Sequence, residues 1–169
     1  MSTRFAKRLS LLGLLGLFSL LPAAFAQSNN TNVTTEQIQD WQVECPTDGG
    51  RCAMSQLVNN PSDNQPVMRV VAMYPEQFDG AALTFLVPLG VILTPGLELT
   101  VDGSAAAAFP YQSCQPGGCR ADLPAQPELL QRLRGGSVAT LSFIDPSGMQ
   151  RDLDFSLSGF TAALNRIAP

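Results

Sequence analysis

The sequence predicts a mainly β protein, an antiparallel β-sandwich closed by two short helices, and three observations carry that expectation. Short apolar runs alternate with polar residues at the period-two spacing of strands. Turn-forming residues punctuate the chain at intervals of about 8 to 12 residues, the rhythm of a sandwich. Four cysteines fall in two pairs, each enclosing residues that fold the chain back. About seven to nine short strands follow from this pattern, with no internal repeat and no interdomain linker.

The chain begins with a basic segment (Arg4, Lys7, Arg8), an apolar run from Leu9 to Leu21, and the small-x-small site Ala24-Phe25-Ala26. Residues 1–26 therefore read as a secretory signal peptide, and Pro22 with the cleavage site argues against an uncleaved anchor. Removing 26 residues from 169 leaves an exported chain of 143 that starts at Gln27. No stable membrane span is expected after cleavage. Residues 27–36, QSNNTNVTTE, are polar without apolar periodicity and are expected to form a disordered lead-in. Residues 37–169 then make a single domain, long enough to bury roughly two-thirds of its unfolded surface.

A first strand carries Trp41 and Val43 into Cys45, and the lone tryptophan reads as a core residue. Cys52 to Val58 is strand-like. Asn59 to Pro66, NNPSDNQP, is an exposed loop by composition. Val67 to Tyr74 has apolar residues on both faces and reads as a central strand, with Arg69 snorkelling or paired to a neighbouring acid. Pro75 to Gly80 is a turn. The stretch Leu83–Gly103 holds the densest apolar run of the exported chain and reads as two buried strands joined by a turn. Leu83, Phe85 and Val87 lie on one face of the first, and Leu97, Leu99 and Val101 on one face of the second. Pro88, Pro95 and Glu98 rule out a bilayer-spanning helix there.

Ala105–Ala108 reads as a small-residue linker into Phe109-Pro110-Tyr111, because four alanines cannot nucleate a helix. Pro127 sits where a first helical residue stands, with Leu129, Leu130 and Leu133 on one side and Gly135-Gly136 beyond, so a short capped helix is expected. Val138–Ile144 and Arg151–Leu157 form a β-hairpin around Asp145-Pro146-Ser147-Gly148, with Leu153, Phe155 and Leu157 facing in. Phe160, Ala163, Leu164 and Ile167 recur at helical spacing, giving a closing amphipathic helix on the sheet edge.

Cys45 and Cys52 enclose Pro-Thr-Asp-Gly-Gly-Arg, and Cys114 and Cys119 enclose Gln-Pro-Gly-Gly. Three connectivities are formally possible. The turn-forming inserts favour two local disulfides, Cys45–Cys52 and Cys114–Cys119, each contributing about 2 to 2.5 kcal/mol by the chain-entropy argument. A four-thiolate zinc site fits less well, since paired zinc ligands are usually two to four residues apart and the first pair here has six between. Neither pair has the Cys-x-x-Cys spacing of a redox dithiol.

Several of these motifs together resemble the invasion-associated locus B family. They are Trp41-x-Val43-x-Cys45 followed by Cys52, Val87-Pro88-Leu89-Gly90-Val91 with Gly96 and Val101-Asp102-Gly103, the Cys114 to Cys119 loop, and Ser156-Leu157-Ser158-Gly159-Phe160 with Ala163-Leu164. The likeness covers nearly the whole exported chain in the family's order. It implies an immunoglobulin-like antiparallel β-sandwich with disulfide-tied loops, in an exported bacterial protein of a family named for host-cell entry. It brings no catalytic motif.

The residue inventory narrows the chemistry further. Histidine is absent, which removes the usual general base, the activator of a serine triad and the commonest zinc ligand. The exported chain also lacks lysine, so a Ser-Lys dyad fails. Asp152 and Asp154 are the closest carboxylate pair, and alternation puts both on the solvent face of one strand. Asp63, Asp79 and Asp145 lie in separate turns, which is no calcium loop. Seven arginines against fourteen acidic residues leave the exported chain at −7, a charge that disfavours nucleic acid. The sequence thus points away from an enzyme and implies no cofactor or metal. It suggests a binding module of the periplasm, outer-membrane surface or medium, engaging an unidentified protein or host-surface partner through the disulfide-tied loops and residues 59–66. An envelope assembly chaperone or inhibitor, using an exposed strand edge or the 59–66 loop, is the alternative.

Overall fold

Apolar alternation sets the strands, and the strands close into two antiparallel sheets over one core. The computed structural model describes residues 32–60 and 62–169. The expected signal peptide, residues 1–26, and the start of the lead-in lie outside them.

Eleven strands and two helices are present among the described residues. In chain order they are β1 (Val33–Ile38), β2 (Trp41–Pro46), β3 (Ala53–Asn59), β4 (Pro66–Met73), β5 (Ala82–Val87), β6 (Leu97–Val101), β7 (Ser104–Phe109), β8 (Ser113–Gln115) and β9 (Gly118–Pro124). Helix α1 (Pro127–Gly135), β10 (Val138–Ile144), β11 (Gln150–Ser156) and α2 (Phe160–Arg166) complete the chain. A seven-stranded sheet runs β1-β2-β3-β4-β5-β9-β8, and a four-stranded sheet runs β11-β10-β6-β7. This is the antiparallel sandwich with two short helices that alternation predicts.

The inner face of the large sheet is built from Trp41, Val43, Met54, Val70, Leu83 and Phe85; that of the small sheet from Leu97, Leu99, Leu141 and Phe155, all 2 % exposed or less. Aromatic rings tie the sheets together. Trp41 meets Phe155 and Phe160 edge-on at centroid distances of 6.4 and 5.4 Å, and Phe85 contacts Phe109 and Phe155 at 5.4 and 6.0 Å. A polar latch adds to this. Gln56 sits at an inward position opposite Val70, accepts from the Ser156 N–H at 2.9 Å and donates to the Ser156 carbonyl at 3.2 Å, where the Trp41 indole N–H also donates. Burying these groups is tolerable because each finds a partner across the sandwich.

Four expectations need correction. Residues 33–36, placed in the disordered lead-in, are the start of β1, which pairs with β2 from Val33↔Pro46 to Ile38↔Trp41. Its side chains are exposed apart from Ile38, which packs on the core, so backbone pairing with β2 is its main support, beside a solvent-exposed Arg166–Glu36 bridge at 3.0 Å. Ala105–Ala108 is no linker; it belongs to β7, paired to β6 through a two-residue turn at Asp102 (φ 47°) and Gly103 (φ 76°). Positive φ at both positions suits a turn whose twist matches the flanking strands. Residues 118–124 form β9, unforeseen in the sequence, with Cys119, Ala121 and Leu123 inward. Finally, β5 and β6 are buried as expected, but they lie in different sheets, so residues 88–96 are a crossover between layers. Gly96 makes that crossover possible, since a Cβ there would lie 2.6 Å from the Phe109 carbonyl oxygen.

The helices sit as the sequence implies. Pro127 opens α1, Leu129 and Leu133 are buried, and Arg132 donates to the Ala105 carbonyl at 2.5 Å. Phe160, Ala163 and Leu164 bury one face of α2, with Phe160 against Trp41 of β2, one strand in from the sheet edge.

Candidate functional site

Hairpin geometry brings the cysteines together in two local bridges. The Glu44↔Ala53 pair places Cys45 and Cys52 across the β2–β3 turn with Cα atoms 4.2 Å apart, and they are disulfide-bonded. Cys114 and Cys119 face each other directly in the β8–β9 hairpin at 4.0 Å and are likewise bonded. No free cysteine remains.

The two bridges lie at opposite ends of the large sheet. Along β3, β4, β5 and β9 the register runs Leu57↔Arg69↔Leu86↔Arg120, and Val87 pairs with Cys119. The β3–β4 connection, at residues 59–60 and 62–66, therefore shares one end with the Cys114–Cys119 hairpin and the 88–96 crossover. The Cys45–Cys52 loop lies at the other end, beside the β4–β5 turn. The surface that sequence reasoning treated as one is thus divided in two.

The loop-and-hairpin end holds a groove of about 490 Å³ walled by Leu57, Val67, Arg69, Leu86, Pro88 and Gly117. Two exposed large apolar side chains stand in its wall, Leu57 at 52 % and Leu86 at 39 %, and Leu89, 53 % exposed, follows Pro88 on the adjoining crossover. Neighbouring exposed leucines of this kind carry more weight than single scattered ones. The far end has two clefts of about 460 and 440 Å³, lined largely by turn residues and the C-terminus. There Arg51 is already engaged by the Tyr74 carbonyl at 3.3 Å and by Glu76 at 3.7 Å, and no large apolar side chain of the 47–52 or 74–80 turns is exposed.

The carboxylates are held apart from any such groove. Asp152 and Asp154 lie on the outer face of the small sheet, accepting hydrogen bonds from Ser142 and Thr140 at 2.7 Å each. The Ser142 hydroxyl and then Gln150 lower the Asp152 pKa. Asp145, in the β10–β11 turn, is the one buried charged residue among those described. It accepts the Ser147 hydroxyl, the Ser147 and Met149 N–H groups, and Arg151 at 2.7 Å. The Ser147 hydroxyl is the leading cause of a pKa lowered to about 2, helped by Arg151. Its bonding is that of a turn staple. Among the described residues no group of three or more potential ligands converges on a metal position. None of their helices is long and apolar enough to cross a membrane.

Sequence reasoning missed the row Leu57–Arg69–Leu86, because its members come from three strands and only register aligns them. Arg69 was read there as snorkelling or paired to an acid; the structure exposes it, with no carboxylate partner among the described residues.

Comparisons with known proteins agree with this architecture. Residues 41–168 match the family model for the invasion associated locus B protein. Invasion protein B homologs of Brucella abortus, strains 2308 and biovar 1 strain 9-941, are each 31 % identical over 166 residues, covering 92 % of this chain and 94 % of theirs. The crystal structure of invasion associated protein b from Bartonella henselae superposes with a TM-score of 0.71 at 23 % identity, over 79 % of this chain and 95 % of that one.

Proposed function

The chain belongs to the invasion-associated locus B family, and on that premise we propose that it is an exported, non-enzymatic binding protein of the bacterial cell envelope. It engages a protein or host-surface partner through the groove end of its large sheet. The observation that carries this reading is the pair of exposed leucines, Leu57 and Leu86, in the wall of a groove that Pro66 and the disulfide-bonded hairpin's Gly117 also line, with exposed Leu89 just beyond Pro88. Rigid strands presenting loops are the usual way a sandwich displays a binding surface. Export is supported by the two disulfides, which persist in oxidising compartments, and by the basic-then-apolar N-terminal sequence. The periplasm, the outer-membrane surface or the medium is its place of action. The separate hydrogen-bonded settings of Asp145, Asp152 and Asp154 favour binding over carboxylate catalysis. The relatives named as invasion proteins support a host-surface partner.

Affinity capture from envelope and host-surface fractions tests this reading. Leu89→Asp, at the groove end, is expected to abolish capture of the partner retained by the native protein. Gln77→Asp, at the far end, is expected to leave it intact. Capture that survives Leu89→Asp and fails with Gln77→Asp would move the binding surface to the other end.

A further inference from the structure

Resting on the reading that the groove end is the binding surface, the geometry points to a narrower ligand class: an extended peptide ending in an apolar residue, its free C-terminal carboxylate held by Arg69 and its last side chain seated against one of the flanking leucines, Leu57 or Leu86. The exported chain carries seven arginines, and six of them are engaged by its own groups. Arg51, Arg120, Arg151 and Arg166 pair with carboxylates. Arg132 and Arg134 donate to the Ala105 carbonyl and to Asn165. Among the described residues, Arg69 alone makes neither an ion pair nor a side-chain hydrogen bond, although it projects from the central strand of the large sheet.

Its surroundings specify what suits it. Leu57 and Leu86 flank it directly in the register, one strand spacing of about 4.8 Å on either side. The groove walls contain no Asp or Glu. A guanidinium among apolar walls binds a carboxylate through two parallel hydrogen bonds, and partial exclusion of water strengthens the pair. The ligand suited to this row presents an anion to the guanidinium and an apolar side chain to a leucine beside it. The last residue of a chain carries both on one Cα. A phosphate is matched less well, because phosphate sites gather several donors or a cluster of arginines. The charge of −7 also opposes docking on an anionic membrane.

Fluorescence anisotropy on the exported protein tests this with three dye-labelled peptides. One ends in leucine with a free carboxylate, the second is the same peptide amidated, and the third is amidated with an internal aspartate before the leucine. The free acid is expected to bind, with amidation and Arg69→Gln each weakening it by about tenfold or more and Arg69→Lys falling between. Binding should also weaken as salt rises. An unchanged urea midpoint for Arg69→Gln, a surface substitution, would show that the loss is not one of folding. The inference is overturned if the free acid does not bind at millimolar concentration, if acid and amide bind alike, if the internal aspartate serves equally well, or if Arg69→Gln has no effect. Any of these results beside loss of partner capture by Leu89→Asp sinks the terminal-carboxylate inference and leaves the groove reading standing. Capture that survives Leu89→Asp sinks the groove reading itself.

Discussion

Asp145 shows how a single residue couples the fold to pH. Its folded pKa, about 2, lies below the ordinary 3.8, chiefly because the Ser147 hydroxyl donates to the ionised form. Its contribution to stability is therefore fully present above about pH 4 and is lost as pH falls through the folded value. Asp152 is shifted in the same direction. Urea midpoints measured between pH 7 and pH 2 should fall with acid in the native protein, and the fall should be shallower in Asp145→Asn. At the sheet interface, Gln56→Leu removes both bonds to Ser156, leaving its part-buried N–H without that acceptor, and should cost about 1 kcal/mol by urea unfolding. Tyr111 is the opposite case. Its hydroxyl is buried without a partner and its pKa is raised by that burial, so Tyr111→Phe should be neutral or stabilising in the same assay.

Among the elements, those with one buried and one solvated face could be read directly from the sequence. Alternation marked β5, β6, β10 and β11, and the pairing of Ser142 with Asp152 and Thr140 with Asp154 shows the polar side of that pattern. The strands missed are those in which the contrast fails. In β7, four alanines offer weak hydrophobic contrast and poor strand propensity, yet Asp102-Gly103 was a hairpin signal in plain sight. In β1 no face is buried, so no apolar pattern could appear. In β9, small inward residues and Gly118 hid an alternation completed by Arg120 and Asp122 outside. Gly118 is itself a structural requirement: its φ is 136°, and a Cβ would lie 2.6 Å from the Val87 carbonyl oxygen. Gly118→Ala is expected to destabilise the protein by about 1–3 kcal/mol, measured by urea unfolding. Phe85→Ala, in the aromatic contact between sheets, should cost about 3–5 kcal/mol.

At the scale of the whole molecule, the sheets divide the labour. The small sheet turns Thr140, Ser142, Asp152 and Asp154 to solvent, whereas the large sheet exposes leucines around an uncommitted arginine. Composition and missing histidine could suggest a binding module without suggesting where it binds, because the groove proposed for that role is assembled by register among residues far apart in the chain. Sequence likewise could not reveal that the two disulfide loops lie at opposite ends. The most direct measurement of the central claim is site-specific photo-crosslinking in the cell that exports the protein, with the reactive group placed in turn at Ser62, Leu89, Asp48 and Gln77. The account predicts a shared partner captured from Ser62 and Leu89 and little or none from Asp48 and Gln77; a partner captured from Asp48 and Gln77 alone would contradict it.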